Sequence, residues 1–254
     1  MKALLALAGC LALLYLLVCA AFFFGQRAFI YFPVADRDAS VPAFTLTRDG
    51  VDLQVSTHAS GSPQAVVYFG GNAEDVSRAV PGLRNAFGDA AIYALHYRGY
   101  GGSEGMPTER ALVDDGLALV EHVAARHPHV VVVGRSLGSG VAVQVARRRP
   151  PARLVLVTPF DSMAALARRH YPWLPTAPIL RERYPSIEHA PSITAPTTLV
   201  VAGRDVIVPP AHARALLEAF PDGVAEAVLI ADAGHNDVDA APGYGAALRG
   251  GRLP

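Results

Sequence analysis

The sequence predicts an α/β fold: a three-layer sandwich around a mostly parallel, twisted sheet, with antiparallel strands at its N-terminal edge and a transmembrane helix ahead of it. Three observations predict it. Short, continuous apolar runs recur between residues 64 and 230, which suits strands buried on both faces. Helical stretches separate those runs, the alternation that places helices on both sides of a parallel sheet. Residues 3–25 carry no charged side chain.

That uncharged run comes first. As a helix, Ala3 to Phe24 spans about 33 Å, the thickness of a bilayer's hydrocarbon core. A cleavable signal has a shorter apolar region of roughly 7–15 residues ahead of its cleavage site. Here Phe22, Phe23 and Phe24 extend the run past the small residues Cys19-Ala20-Ala21, so an uncleaved anchor over residues 1–25 is expected. Leu7-Ala8-Gly9-Cys10 looks like a bacterial lipidation box, but its position close to the N-terminus and the apolar stretch behind it argue against that use. Both cysteines, Cys10 and Cys19, lie in this segment, so no disulfide staples the rest. Lys2 and the amino terminus balance Arg27 and Arg37, and the charge rule leaves orientation tied. By analogy with other single-anchor enzymes, the expected placement is single-pass with the globular part on the outer face.

Residues 26–254 are expected to form one domain. With a formal net charge of zero, nothing suggests a polyanion such as nucleic acid as the partner, and none is expected. Arg27 to Pro33 reads as an aromatic interfacial collar. Ala43–Arg48 and Val51–His58 alternate on either side of Asp49-Gly50, a two-residue hairpin signal. The buried strands expected next are 65–69, 90–95, 130–133, 154–157, 198–201 and 227–230. Helices are expected over 73–87, 108–126, 137–149, 211–220 and 236–248. Pro172, Pro175, Pro178, Pro185, Pro191 and Pro196 rule out long helices in 171–196, which is expected to be a cap over the site.

The chemistry centres on Gly134-Arg135-Ser136-Leu137-Gly138, where an apolar strand turns into a helix. Small residues on both sides allow a turn tight enough to lift the Ser136 hydroxyl above the strand end. A serine hydroxyl is a weak nucleophile and needs a base and a group that orients the base. Asp205 follows the strand 198–201, and His235 follows the next, in the order such a sheet requires. His235 would take and return the Ser136 proton, with Asp205 holding the imidazole tautomer. Asp161 is the rival acid, expected mainly to cap the next helix. An oxyanion needs fixed N–H donors, expected from the backbone of Leu137 and of Asn72, with Gly71 the near alternative to the latter. No His-Glu-x-x-His pattern occurs and no cysteine lies outside the anchor, so neither metal nor other cofactor is expected.

Together Phe69-Gly70-Gly71-Asn72-Ala73-Glu74, His96-Tyr97-Arg98-Gly99-Tyr100-Gly101-Gly102-Ser103, Pro107-Thr108-Glu109, the Ser136 turn and Gly234-His235-Asn236-Asp237 resemble the membrane-anchored α/β-hydrolase-domain branch, often labelled serine aminopeptidase-like. The resemblance implies a serine hydrolase and allows esterase, thioesterase, lipase and peptidase chemistry. An anchor that holds the site close to a bilayer favours an ester or thioester of a small-molecule or lipid-like acyl substrate, cleaved through an acyl-enzyme on Ser136. Two alternatives stay open. An aminopeptidase-type enzyme would present acidic groups to a free amine, with Glu182 and Glu188 the candidates in the proline-rich segment. A catalytically silent, membrane-tethered binding protein would keep the fold without the chemistry.

Overall fold

The computed structural model describes residues 1–250; residues 251–254 of the expected domain lie outside the described residues. The first element, α1 (Lys2–Ile30), is long and apolar enough to cross a membrane. It overruns the expected boundary at residue 25 because nothing up to Ile30 breaks a helix. The chain turns extended at Tyr31, since Phe32 precedes Pro33 and the residue before a proline disfavours helical geometry.

Strands β1 (Ala43–Arg48) and β2 (Val51–His58) pair antiparallel through Asp49-Gly50. Both turn residues have positive φ, 50° and 74°, as a hairpin turn matched to strand twist requires. Then come β3 (Gln64–Phe69), β4 (Ala91–Leu95), β5 (His129–Arg135), β6 (Arg153–Val157), β7 (Thr197–Ala202) and β8 (Ala225–Ile230). The sheet order is β1-β2-β4-β3-β5-β6-β7-β8, parallel from β4 onward, with β2 antiparallel to β4. Reversal of direction about β3 leaves a crevice above the carboxyl ends of the central strands, where α/β sheets place ligands.

Period-two alternation sends each strand's side chains to two cores. Ala65, Val67, Phe69, Val130, Val132, Leu154 and Leu156 pack with α3 (Glu109–Ala124), α4 (Leu137–Arg148) and α8 (Pro210–Ala219). Val66, Tyr68, Val131, Val133, Val155 and Val157 face α2 (Val80–Phe87) and α9 (Tyr244–Leu248). This is the expected three-layer sandwich.

Two expected helices are shorter than their sequence pattern. Asp75 starts a 3₁₀ turn over Val76–Ala79, and α2 follows it. The stretch 236–248 breaks into a 3₁₀ turn and a short α9, because Pro242 lacks an N–H and Gly243 sits at φ 86°.

Between β6 and β7 lie α5 (Met163–His170), α6 (Thr176–Ile179) and α7 (Ser186–His189). Buried polar groups tie this segment to the end of α1. Gln26 Oε1 accepts from the N–H groups of Arg181 (2.7 Å) and Glu182 (3.2 Å). The Glu182 carboxylate, 4% exposed, accepts from Arg27 Nε at 2.8 Å, Tyr31 Oη at 2.8 Å and the Glu109 N–H at the start of α3.

Candidate active site

Ser136 stands between β5 and α4 at φ 50° and ψ −115°, a conformation few non-glycine residues adopt. Its neighbours permit the bend. A Cβ at Gly134 would strike the Gly138 carbonyl, and one at Gly138 would strike the carbonyls of Phe69 and Gly70. The Ser136 N–H donates to Val157 O at 2.9 Å, fixing the turn to the next strand.

Asp205 follows β7 in a turn that absorbs half of its carboxylate. Oδ1 accepts from the N–H groups of Ile207 (2.9 Å) and Val208 (2.7 Å), leaving Oδ2 2.6 Å from His235 Nδ1. An ionised carboxylate can only accept, so Nδ1 carries the proton and Nε2 is free to accept. Nε2 lies 2.9 Å from Ser136 Oγ. The Asp237 carboxylate accepts from the Gly234 N–H at 2.6 Å and shapes the turn that presents His235, while Asp232 is exposed beside Arg204.

Asp161 belongs elsewhere. Its carboxylate meets the Ser162 N–H (2.7 Å) and His212 Nδ1 (2.8 Å), and the helix after it is capped by Ser162, not by Asp161.

The loop after β3 lies against Ser136: a Cβ on Gly71 would sit 3.6 Å from that of Ser136. Gly71 N–H is taken by Glu74 Oε2 at 2.6 Å. Among the described residues, the backbone N–H groups of Asn72 and Leu137 have no partner, and that of Leu137 opens α4, where the helix dipole favours negative charge. The Asn72 side chain, which sequence reasoning assigned no task, locks the loop to the chain leaving α1. Its Nδ2 donates to Ile30 O (2.6 Å), and its Oδ1 accepts from the Phe32 N–H (2.9 Å) and Tyr100 Oη (2.8 Å).

A second group that sequence reasoning missed supports the loop from below. Glu74 accepts from Tyr68 Oη at 2.7 Å and pairs with Arg135 at 3.3 Å, and Arg135 also donates to His235 O at 3.2 Å. Burial acts most strongly and pulls the Arg135 pKa down, but Glu74, Tyr68, Asp239 and Tyr244 together outweigh it and hold the guanidinium above its ordinary value. Arg135 and Glu74 stood inside the quoted motifs; a charged pair flanking a nucleophile was the available signal. The Arg98-Gly99-Tyr100-Gly101 turn is structural, with Arg98 gripping Asp115 through two bonds of 2.7 and 2.8 Å.

Ser136 and His235 open into a cleft of about 1290 Å³ that also borders Asn72, Glu74, Arg135 and Ile207. Among the described residues, none from 171–196 lines this cleft; buried bonds tie the proline-rich segment to the end of α1 and the start of α3. Glu182 is consumed by those bonds, and Glu188 is exposed near Arg183. Neither carboxylate faces the cleft to receive an amine.

The arrangement can take a proton from a serine and hold it on an imidazolium while two N–H groups wait nearby, which suits attack on an acyl carbon. Comparison with known proteins agrees with the fold. The family described as serine aminopeptidase, S33, matches residues 62–188. An uncharacterized protein of Mycobacterium tuberculosis is 37% identical over 233 residues, covering 84% of this chain and 81% of that protein. The human alpha/beta hydrolase domain-containing protein 17B is 30% identical over 156 residues, 58% of this chain and 51% of that protein. The esterase Pf2001 of Pyrococcus furiosus shares the fold at a TM-score of 0.63 and 20% identity, covering 83% of this chain and 93% of that one. A monoacylglycerol lipase of Paleococcus ferrophilus does so at 0.59 and 18%, covering 78% and 96%. The chain belongs to the serine aminopeptidase S33 family of α/β hydrolases.

Proposed function

We propose that the protein is a membrane-anchored serine hydrolase that cleaves an ester or thioester through an acyl-enzyme on Ser136. One observation carries the reading: the hydrogen-bonded line from Asp205 Oδ2 through His235 (2.6 Å) to Ser136 Oγ (2.9 Å). In the first half-reaction Ser136 Oγ attacks the acyl carbon, its proton passes to His235 Nε2, and the leaving alcohol or thiol departs with that proton. In the second, His235 draws a proton from water, hydroxide attacks the acyl-serine carbon, and Ser136 recovers its proton as the acid leaves. The backbone N–H groups of Leu137 and Asn72 face the oxyanion in both halves. Anchorage by α1 keeps the site near a bilayer, which favours substrates with an acyl chain.

Hydrolysis of short- and long-chain p-nitrophenyl esters by the purified full-length protein tests this. The reading predicts a burst of p-nitrophenolate ahead of steady turnover and a loss of roughly 10⁶-fold in kcat for Ser136→Ala. Steady hydrolysis retained by Ser136→Ala would overturn it.

A further inference from the structure

The proline-rich segment that packs beside α1 carries an apolar loop. Residues 171–180, Tyr-Pro-Trp-Leu-Pro-Thr-Ala-Pro-Ile-Leu, contain no charged side chain, yet Arg168, Arg169 and His170 precede them and Arg181 and Arg183 follow. All five flanking side chains are exposed. So are the loop's two largest rings, Tyr171 at 46% and Trp173 at 52%. The exposed aromatics sit against α1. Phe22 lies 6.3 Å from the Tyr171 ring and 6.1 Å from the Trp173 ring, and Tyr15 Oη donates to Trp173 O at 2.9 Å. Arg181 stacks over Phe23 at 5.7 Å. Tyr15 is about 18 Å along the helix axis from Arg27. The loop therefore lies beside the stretch of α1 that fits a bilayer's hydrocarbon layer.

We propose that residues 171–180 are a second membrane-contacting element, a loop that enters the same leaflet as the C-terminal half of α1. The partner is the lipid bilayer itself. The chemistry matches that partner at each level. Aromatic rings and prolines fill the acyl region, and a basic collar meets the headgroups. Irregular backbone is costly in lipid. This loop limits the cost, because Pro172, Pro175 and Pro178 have no N–H, and those of Tyr171, Leu174, Thr176 and Leu180 bond to nearby carbonyls. Gln26 Nε2 covers Ile179 O at 3.3 Å. Two elements joined by buried bonds fix the tilt of the globular part, which a single helix on a free linker cannot do. The inference rests on the reading of α1 as a membrane-inserted helix.

Trp173 is the one tryptophan of the chain, so its emission reports the loop without engineering. The full-length protein is reconstituted in phosphatidylcholine vesicles with acyl chains that are either unmodified or brominated, and carbonate extraction is run in parallel. The proposal predicts Trp173 emission that is quenched by the brominated chains and resists aqueous acrylamide, in protein that carbonate does not release. Packing of Trp173 on Phe22 alone shields it from acrylamide but leaves it blind to bromine. Carbonate-resistant protein with acrylamide-sensitive, bromine-insensitive emission overturns the loop's insertion and leaves the anchor standing. Protein released by carbonate overturns both.

Discussion

The carboxyl edge of the sheet and the flank where α1 meets the proline-rich segment are both built from buried hydrogen bonds, but they are assembled in opposite ways. At the sheet edge, each residue of the proposed triad follows its own strand: Ser136 after β5, Asp205 after β7, His235 after β8. Strand register delivers the side chains, and short local bonds such as Asp205 to Val208 aim them. At the flank, the bonds that join the elements are long-range. Gln26 meets Arg181 and Glu182 across more than half the chain, and a single carboxylate gathers α1, the proline-rich segment and α3. The first arrangement tolerates change in the loops between strands, while the second fails as a unit when its centre is removed. The two parts touch at the Asn72 side chain, which ties the loop beside Ser136 to Ile30 and Phe32 at the end of α1.

Substitutions separate the two. Asp205→Asn should leave the fold intact and lower kcat roughly 10⁴-fold, because the amide no longer fixes the Nδ1–H tautomer; circular dichroism and ester hydrolysis check both halves. Glu182→Ala should do the reverse. It leaves Tyr31 Oη, the Glu109 N–H and Arg27 without their acceptor, and it should cost about 3 kcal/mol of stability with kcat within about twofold of wild type. Thermal melts in detergent alongside esterase assays read the split.

A smaller effect comes from His96, beneath the antiparallel edge, 1% exposed and bonded through Nε2 to Ser56 Oγ at 2.9 Å. Burial lowers its pKa from 6.5 to about 4. The unfolded chain therefore binds the proton more readily. Stability is full above the unfolded value and is lost as pH falls toward the folded one, by about 2 kcal/mol between about pH 7 and about pH 5. His96→Gln should flatten that stretch of the stability profile while leaving the triad's rate at neutral pH unchanged.

The smallest effect is expected at Glu74, a positioning residue that holds the Gly71 N–H and Arg135. Glu74→Gln keeps the shape but weakens both bonds, and kcat should fall about tenfold with KM nearly unchanged, as befits a group that steadies the oxyanion loop. An equal rise in KM would assign it to substrate binding instead.

The same contrast explains what could be read beforehand. The hairpin at Asp49-Gly50, the buried runs and the order Ser136, Asp205, His235 were legible because each depends on a few consecutive residues and a fixed period. Glu182 and Gln26 were not, since no local pattern says that a glutamate in a proline-rich stretch will meet a helix end near the N-terminus. The Asn72 side chain was hidden for the same reason: its partners Ile30, Phe32 and Tyr100 lie on two other segments. The helix expected over 236–248 failed where Pro242 and Gly243 override an otherwise helical pattern.

The central claim is that Ser136, activated by His235 and Asp205, is the nucleophile. Peptide mapping of the full-length protein after reaction with a fluorophosphonate tests it most directly. The account predicts one covalent phosphonyl adduct, on Ser136, that forms far more slowly in Asp205→Asn. Ester hydrolysis that continues while Ser136 stays unlabelled, or an adduct on a different residue, would contradict it.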